Sequence, residues 1–261
     1  MGKMALERRA REKSHVSKED IKRALKELGL GEGDIVGVHS SLSSLGYVEG
    51  GAEAVVDALL ETVGRTGSVV MPTYSTNRRE LPKTQEEADL GVTWKYKVLP
   101  FDPQNTPCWT GAIPEAFRKH PQALRGSNPA HSLAAVGPRA AELVEGWHAL
   151  LQLDGHILFL GVGLGCCSSM HLAERDVRLP AHILKKITPP AEIEERCERE
   201  HIEFGYGPYP DFARMEEPCL REGITKVATV GETTLKLLRL RRLIDLYAEC
   251  LRTNPDLFYR D

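Results

Sequence analysis

Two short, almost unbroken apolar runs, Asp34-Ile-Val-Gly-Val38 and His156-Ile-Leu-Phe-Leu-Gly161, each run straight into a polar turn rich in hydroxyls and glycine. A strand built from such a run has no polar face, so both of its sides must be covered, as in the middle of an α/β sheet. Behind the second run, Gly161-Val-Gly-Leu-Gly-Cys-Cys-Ser-Ser-Met-His171-Leu-Ala-Glu174 reads as a glycine-rich turn that delivers a helix with a histidine and a carboxylate one turn apart. The first run is followed by His39-Ser-Ser-Leu-Ser-Ser44, hydroxyls released at a strand end. Loops of this kind at the carboxyl ends of sheet strands form clefts.

The rest of the chain fits one α/β pattern. Ser17-Lys-Glu-Asp20 forms a capping box ahead of Ile21, Ala24, Leu25 and Leu28, and Gly29 ends that helix. Gly50-Gly51 opens a second helix with Ala54, Val55, Ala58, Leu59 and Val63 inward, and Gly64-Arg-Thr-Gly67 returns the chain to a strand at Ser68–Met71. A right-handed crossover makes this strand parallel to the first. Residues 75–106 are polar, carry four prolines up to residue 107 and read as a lid-like insertion. Further helices are expected at Gly111–His120, Gly137–Val144, Pro190–Glu203 and Gly231–Leu251, further strands at Ser132–Val136 and Ile157–Leu160, and a partly strand-like stretch up to Lys186. The domain organisation expected is a flexible amino-terminal segment, residues 1–16, then a single domain over 17–261.

Composition narrows the function classes. With 261 residues, 41% of them hydrophobic, a sizeable core is available. The net charge of −3 gives no footprint for nucleic acid, and Arg8, Arg9, Arg11 and Lys13 are too short a cluster to change that. Apolar runs are far below membrane-spanning length and the charged start lacks a secretory pattern, so a cytoplasmic protein without membrane partners is expected. The six cysteines show no C-x-x-C spacing, which fits reduced thiols. Cys166, Cys167, His171 and Glu174 lack the spacing of a zinc site, and no metal is expected. Gly161-Val-Gly163-Leu-Gly165 approaches a dinucleotide fingerprint, but its third glycine falls out of register.

Several ordered motifs span most of the chain: Val38-His-Ser-Ser-Leu-Ser-Ser-Leu-Gly46 with Gly50-Gly51, Val70-Met-Pro-Thr73, Phe101-Asp-Pro103, Gly111 to Arg118, Asn128-Pro-Ala-His-Ser-Leu-Ala-Ala135, and Leu160-Gly-Val162 leading to Met170-His-Leu-Ala-Glu174. In this order they resemble the aminoglycoside 3-N-acetyltransferase family. The resemblance implies a three-layer α-β-α sandwich on a mixed, here largely parallel, sheet. It also implies acetyl transfer from acetyl-coenzyme A, as co-substrate, to an amine of an aminoglycoside antibiotic, a resistance activity. Two departures stand out. The glycine-rich Ser-Pro loop usual before the Leu-Leu-Gly strand is missing, and Arg125-Gly-Ser127 with Asn128-Pro129 replaces Arg-Ser and His-Pro.

The residues and the resemblance together make His171 the general base, since an amine attacking a thioester must lose a proton. Its orienting carboxylate is Glu174 or, from a remote segment, Asp211, Glu216 or Glu217. The donor site implied comprises His39, Ser40, Ser41, Leu42, Ser43, Thr73, Asn128 and Ser132. Glu80, Glu86, Glu87 and Asp89 in the insertion are candidates to receive a polycationic acceptor. The small-molecule partners are coenzyme A and an amine, and a homo-oligomer is compatible with the sequence. Two other readings stay open: an N-acyltransferase for a different metabolite amine, and a binding protein that has lost coenzyme affinity.

Overall fold

Ser17 starts the first helix by the device its sequence predicts. In the computed structural model, which describes residues 15–259, β1 (His15–Val16) leads into α1 (Lys18–Glu27). The Ser17 hydroxyl accepts the Asp20 N–H at 3.2 Å and the Asp20 carboxylate accepts the Ser17 N–H at 3.0 Å. Next come β2 (Ile35–Ser40), β3 (Tyr47–Val48), α2 (Gly51–Val63) and β4 (Ser68–Pro72). Because β1 pairs with β3, residues 15 and 16 are ordered strand and not part of a frayed end. The remainder of the segment expected to be flexible lies outside the described residues. β2 and β4 are parallel, with Val36 opposite Val69, as the connection through α2 requires.

The polar insertion is not a bare loop. It holds β5 (Arg78–Glu80), α3 (Gln85–Asp89) and β6 (Val92–Val98). After α4 (Ala112–Arg118), the chain forms β7 (Leu124–Arg125), β8 (Leu133–Val136), α5 (Ala140–Leu143), α6 (Trp147–Gln152) and β9 (His156–Leu160).

Beyond the glycine-rich link lie α7 (His171–Glu174), α8 (Ala181–Ile187), α9 (Ala191–Arg199), β10 (Ile202–Tyr206), α10 (Glu216–Arg221), β11 (Lys226–Val230), β12 (Thr233–Arg239) and α11 (Leu240–Thr253). Three sequence expectations change here. The strand-like stretch before Lys186 contains helix α8. The charged helix ends at Arg199 and turns through His201, at φ 51°, into β10. The terminal helix begins nine residues late, because Gly231, at φ 59°, opens a two-residue hairpin turn between β11 and β12.

The central sheet runs β11-β12-β9-β2-β4-β8-β7. It is mixed, but only β9-β2 and β2-β4 are parallel, and every other neighbouring pair is antiparallel. The expectation of a largely parallel sheet holds for its centre alone, since β12 and β8 come back from remote parts of the chain antiparallel to β9 and β4. Alternating side chains serve opposite layers. Val36, Val38, Leu158 and Leu160 pack with Ile21, Leu25, Val55 and Phe117, whereas Ile157 and Phe159 pack with Leu150, Leu243 and Tyr247. Each such fully buried aliphatic or aromatic side chain contributes roughly 1.5–3 kcal/mol, so helices on both faces are held by the same strands. A separate antiparallel sheet, β10-β6-β5, sits on its own small cluster of Val92, Ile193 and Cys197. No helix among the described residues is long and apolar enough to cross a membrane.

Candidate active site

Gly161 follows β9 at φ 75°, and a Cβ there would lie 2.8 Å from the Ser44 side chain, so the glycine-rich link packs directly on the turn after β2. Two tight turns, Leu164–Cys166 and Ser168–Met170, then carry the chain to His171. About half of the His171 side chain (48%) is exposed, and Nδ1 lies 3.0 Å from Glu174 Oε2. The edge of the ring contact is Phe212, T-shaped at 4.8 Å. Glu174 Oε1 accepts the Tyr247 hydroxyl at 3.2 Å, and Tyr247 is fully buried. Burial and the neighbouring carboxylate raise the Tyr247 phenol, so it stays a donor. A carboxylate accepts, so Nδ1 carries the hydrogen, and in the neutral ring the lone pair is on Nε2.

The rival carboxylates are engaged elsewhere. Asp211, expected as an alternative partner for His171, caps a turn instead: it accepts the Ala213 N–H at 3.2 Å and Arg214 Nε at 3.0 Å. An aspartate just ahead of a helical turn finds these donors locally. Glu216 accepts the Leu164 N–H at 2.8 Å and Lys236 Nζ at 2.6 Å, and Glu217 pairs with Arg221 at 3.1 Å.

His171 lines a cleft of about 800 Å³ together with Tyr74, Trp94, Trp109 and Trp147. A smaller cavity of about 260 Å³, lined by His39, Ser40, Pro72 and Cys166, shares Tyr74, Trp109 and Ser168 with it. His39 is the last-but-one residue of β2, not of a polar loop. It is 5% exposed, stacks on its register partner Phe159 at 5.7 Å and meets Trp147 at 5.4 Å. Its Nε2 and the Ser40 hydroxyl are buried without a hydrogen-bond partner among the described residues. Tyr74 O–H and Trp147 Nε1–H both donate to Ser168 Oγ, at 2.9 and 3.0 Å. With both lone pairs taken, the Ser168 proton remains free to donate where the two cavities meet.

Other expected donor-site residues are placed differently. Ser41 Oγ lies 3.1 Å from Ser43 Oγ and accepts Ser44 Oγ at 2.9 Å, while Leu42 packs on the core. Thr73 and Ser132 are buried and bound to each other: Ser132 Oγ donates to the Thr73 carbonyl at 2.7 Å, and Arg125 covers both hydroxyls. Neither lines the two cavities, because their hydroxyls satisfy backbone at the junction of β4 and β8. Asn128 borders the cleft, but its side-chain oxygen accepts the Ala130 and His131 N–H groups at 2.9 and 3.0 Å. The acids of the insertion do not line the cleft either. Glu87 is buried against Lys95 and Arg196, and Asp89 accepts Gln85.

Burial pulls His39 down from 6.5 to about 4. The unfolded chain takes up that proton near pH 6.5 and the folded chain only near 4, so the stabilising difference is complete above 6.5 and is lost as pH falls towards 4. Urea unfolding should lose up to about 3 kcal/mol over that window, and His39→Phe should flatten this part of the slope. Burial also pushes the Cys167 thiol up to about 12, whereas Cys166 is exposed.

A sequence model described as aminoglycoside 3-N-acetyltransferase matches residues 38–252. The chain belongs to this family. Aminoglycoside N(3)-acetyltransferase III of Salmonella is 37% identical over 174 residues, 61% of this chain and 60% of the relative. Acetyltransferase IX of Micromonospora chalcea is 32% identical over 62% of this chain and 64% of its own. The chain thus spans less than two thirds of these relatives' length. The prophage-derived aminoglycoside N(3')-acetyltransferase-like protein YokD of Bacillus subtilis is 29% identical over 92% of this chain and 93% of its own. Among solved structures, the apoenzyme AAC(3)-IVa superposes with a TM-score of 0.73 at 22% identity, covering 96% of this chain and 94% of that one. AAC-IIIb, solved as a binary complex with CoASH, gives 0.70 at 22% identity over 91% and 97%. At such identities the likeness is one of fold.

Within this family framework, sequence reasoning missed Tyr247, Ser168 and the aromatic walls. Tyr247 falls at apolar spacing with Leu243 and Leu251 on α11 and so reads as core, which it also is. Trp94 and Tyr96 alternate with Thr93, Lys95 and Lys97, a period-2 signal for β6 hidden in a segment read as a lid.

Proposed function

We propose that this family member transfers an acetyl group from acetyl-coenzyme A to a primary amine by direct attack, with His171 as general base and Glu174 as its orienting partner. The observation that carries the reading is the chain Tyr247–Glu174–His171, which leaves a free Nε2 at the mouth of a cleft. The smaller cavity suits the donor's pantetheine arm, since His39 Nε2 and Ser40 Oγ are buried polar atoms in want of partners beside largely apolar walls. A relative solved with CoASH supports the same donor.

His171 Nε2 takes the proton that the nitrogen sheds as the C–N bond forms, and returns it to the sulfur as the C–S bond breaks. Ser168 donates its hydroxyl hydrogen to the thioester oxygen as negative charge gathers there. Holding both reactants in adjoining cavities supplies the proximity such a transfer needs. An aminoglycoside amine is the acceptor for which the relatives are named, and the same machinery serves any amine that reaches Nε2.

Thiol release from acetyl-coenzyme A with a panel of amines, alongside calorimetry with coenzyme A, tests the reading. Coenzyme binding with amine-dependent thiol release is the expected result. No detectable coenzyme binding at millimolar ligand would turn the chain into a non-catalytic binding protein. Ser168→Ala should lower kcat by about 10²-fold with little change in coenzyme affinity.

A further inference from the structure

We infer that the amine acceptor carries a planar ring and an anionic group, and is not a polycation; the inference rests on the acetyl-transfer reading above. Much of the cleft wall is aromatic, and Tyr74 and Trp109 carry it on into the donor cavity. Trp94 and Tyr96 project from β6 with ring centroids 5.3 Å apart, and Tyr74 meets Trp109 at 6.0 Å. Trp109 is half exposed, an indole left for a ligand to cover.

Arg78 stands between these aromatics. Its guanidinium lies 4.3 Å from the Tyr96 centroid and 4.5 Å from that of Trp109. Stacking occupies the faces of the guanidinium, and its N–H donors lie in its plane, so they are free at the edge. Among the described residues no carboxylate lies within ion-pair distance of Arg78, nor of Arg175, a second cleft-lining guanidinium. An unpaired, ring-stacked arginine in a cleft wall recognises a carboxylate or phosphate beside a flat group.

The charge balance points the same way. Two carboxylates line the cleft, Glu145 and Glu203, and Glu203 already faces His131 at 3.6 Å. They are matched by Arg78 and Arg175. The four acids of the insertion contribute nothing to the wall, and Glu87 among them is neutralised by Lys95 and Arg196. A polycation would find a balanced surface here, whereas a ring bearing one anion finds aromatic faces and an open guanidinium edge.

The test uses four acceptors: 4-(aminomethyl)benzoate, with ring and carboxylate; benzylamine, with the ring alone; 6-aminohexanoate, with the carboxylate alone; and kanamycin, a polycation. Rates come from thiol release, and affinities from quenching of tryptophan fluorescence. The expected kcat/KM for 4-(aminomethyl)benzoate exceeds that of each other amine by about 10-fold or more. Arg78→Gln brings its advantage over benzylamine below about 3-fold, and Arg78→Lys retains part of it. Preference for kanamycin overturns the inference. So does an Arg78→Gln variant whose KM rises for acetyl-coenzyme A while the ratio between amines stays as it was, because the guanidinium then serves the donor's phosphates. Failure of the acetyl-transfer reading looks different: no amine releases thiol, while the fluorescence ranking still decides between the ring-bearing anion and kanamycin.

Discussion

His171→Ala lowers kcat by about 10³-fold and leaves both the fold and coenzyme binding in place. The side chain is half exposed and sits on a single helical turn, so its removal opens no core cavity. What disappears is the cleft-lining imidazole whose Nδ1 is held on Glu174. The amine then loses the proton acceptor that Glu174 holds in place. Glu174→Gln is expected to be milder, about 10-fold or more, because the ring remains but its tautomer and angle are no longer set. Measuring kcat by thiol release, with coenzyme affinity by calorimetry, separates chemistry from binding. A His171→Ala protein that keeps a tenth of the native kcat would remove the histidine from the reaction.

The residues that made this site legible are those whose roles are local. Glu174 lies one turn from His171, so their contact follows from i,i+3 spacing. The Ser17 capping box and the parallel β2-α2-β4 unit are local in the same sense, built from turn glycines and apolar spacing. Contacts between remote segments were not legible. Residues 231–239 are rich in Leu, Lys and Arg, which favour helix, and only pairing with β9 and the Gly231 turn makes them β12. β6 needs β10, more than a hundred residues later, to become a sheet. His39 shows a different limit. A histidine next to serines reads as polar, yet strand register places its ring on Phe159, in the opposite layer from Val38. Asp211 was attractive only because its distance in sequence left its partners unknown, and a local cap claims it.

Arg125→Ala is expected to cost about 3 kcal/mol of stability, a large loss for a residue outside the apolar layers. Its guanidinium donates from Nε to Thr73 Oγ1 and Ser132 Oγ, both at 3.2 Å. Nη1 donates to the carbonyls of Pro103 and Thr106, at 3.2 and 2.6 Å, and Nη2 to that of Thr73. The group thus ties the end of β4 and the start of β8 to the segment by which the insertion returns to the sheet, with Phe101 stacked at 5.1 Å. Alanine leaves those acceptors facing a void, and several of them are buried. Arg125→Lys should recover less than half of the loss, because a single ammonium cannot span acceptors on three segments. Equilibrium urea unfolding reads both variants. The same knot positions Tyr74 and Trp109, which lie one residue after Thr73 and three after Thr106, so activity at saturating acetyl-coenzyme A should fall with stability in Arg125→Ala. A loss under about 1 kcal/mol would mean that the guanidinium is solvated in solution and that the insertion is anchored by the β10-β6 pairing instead.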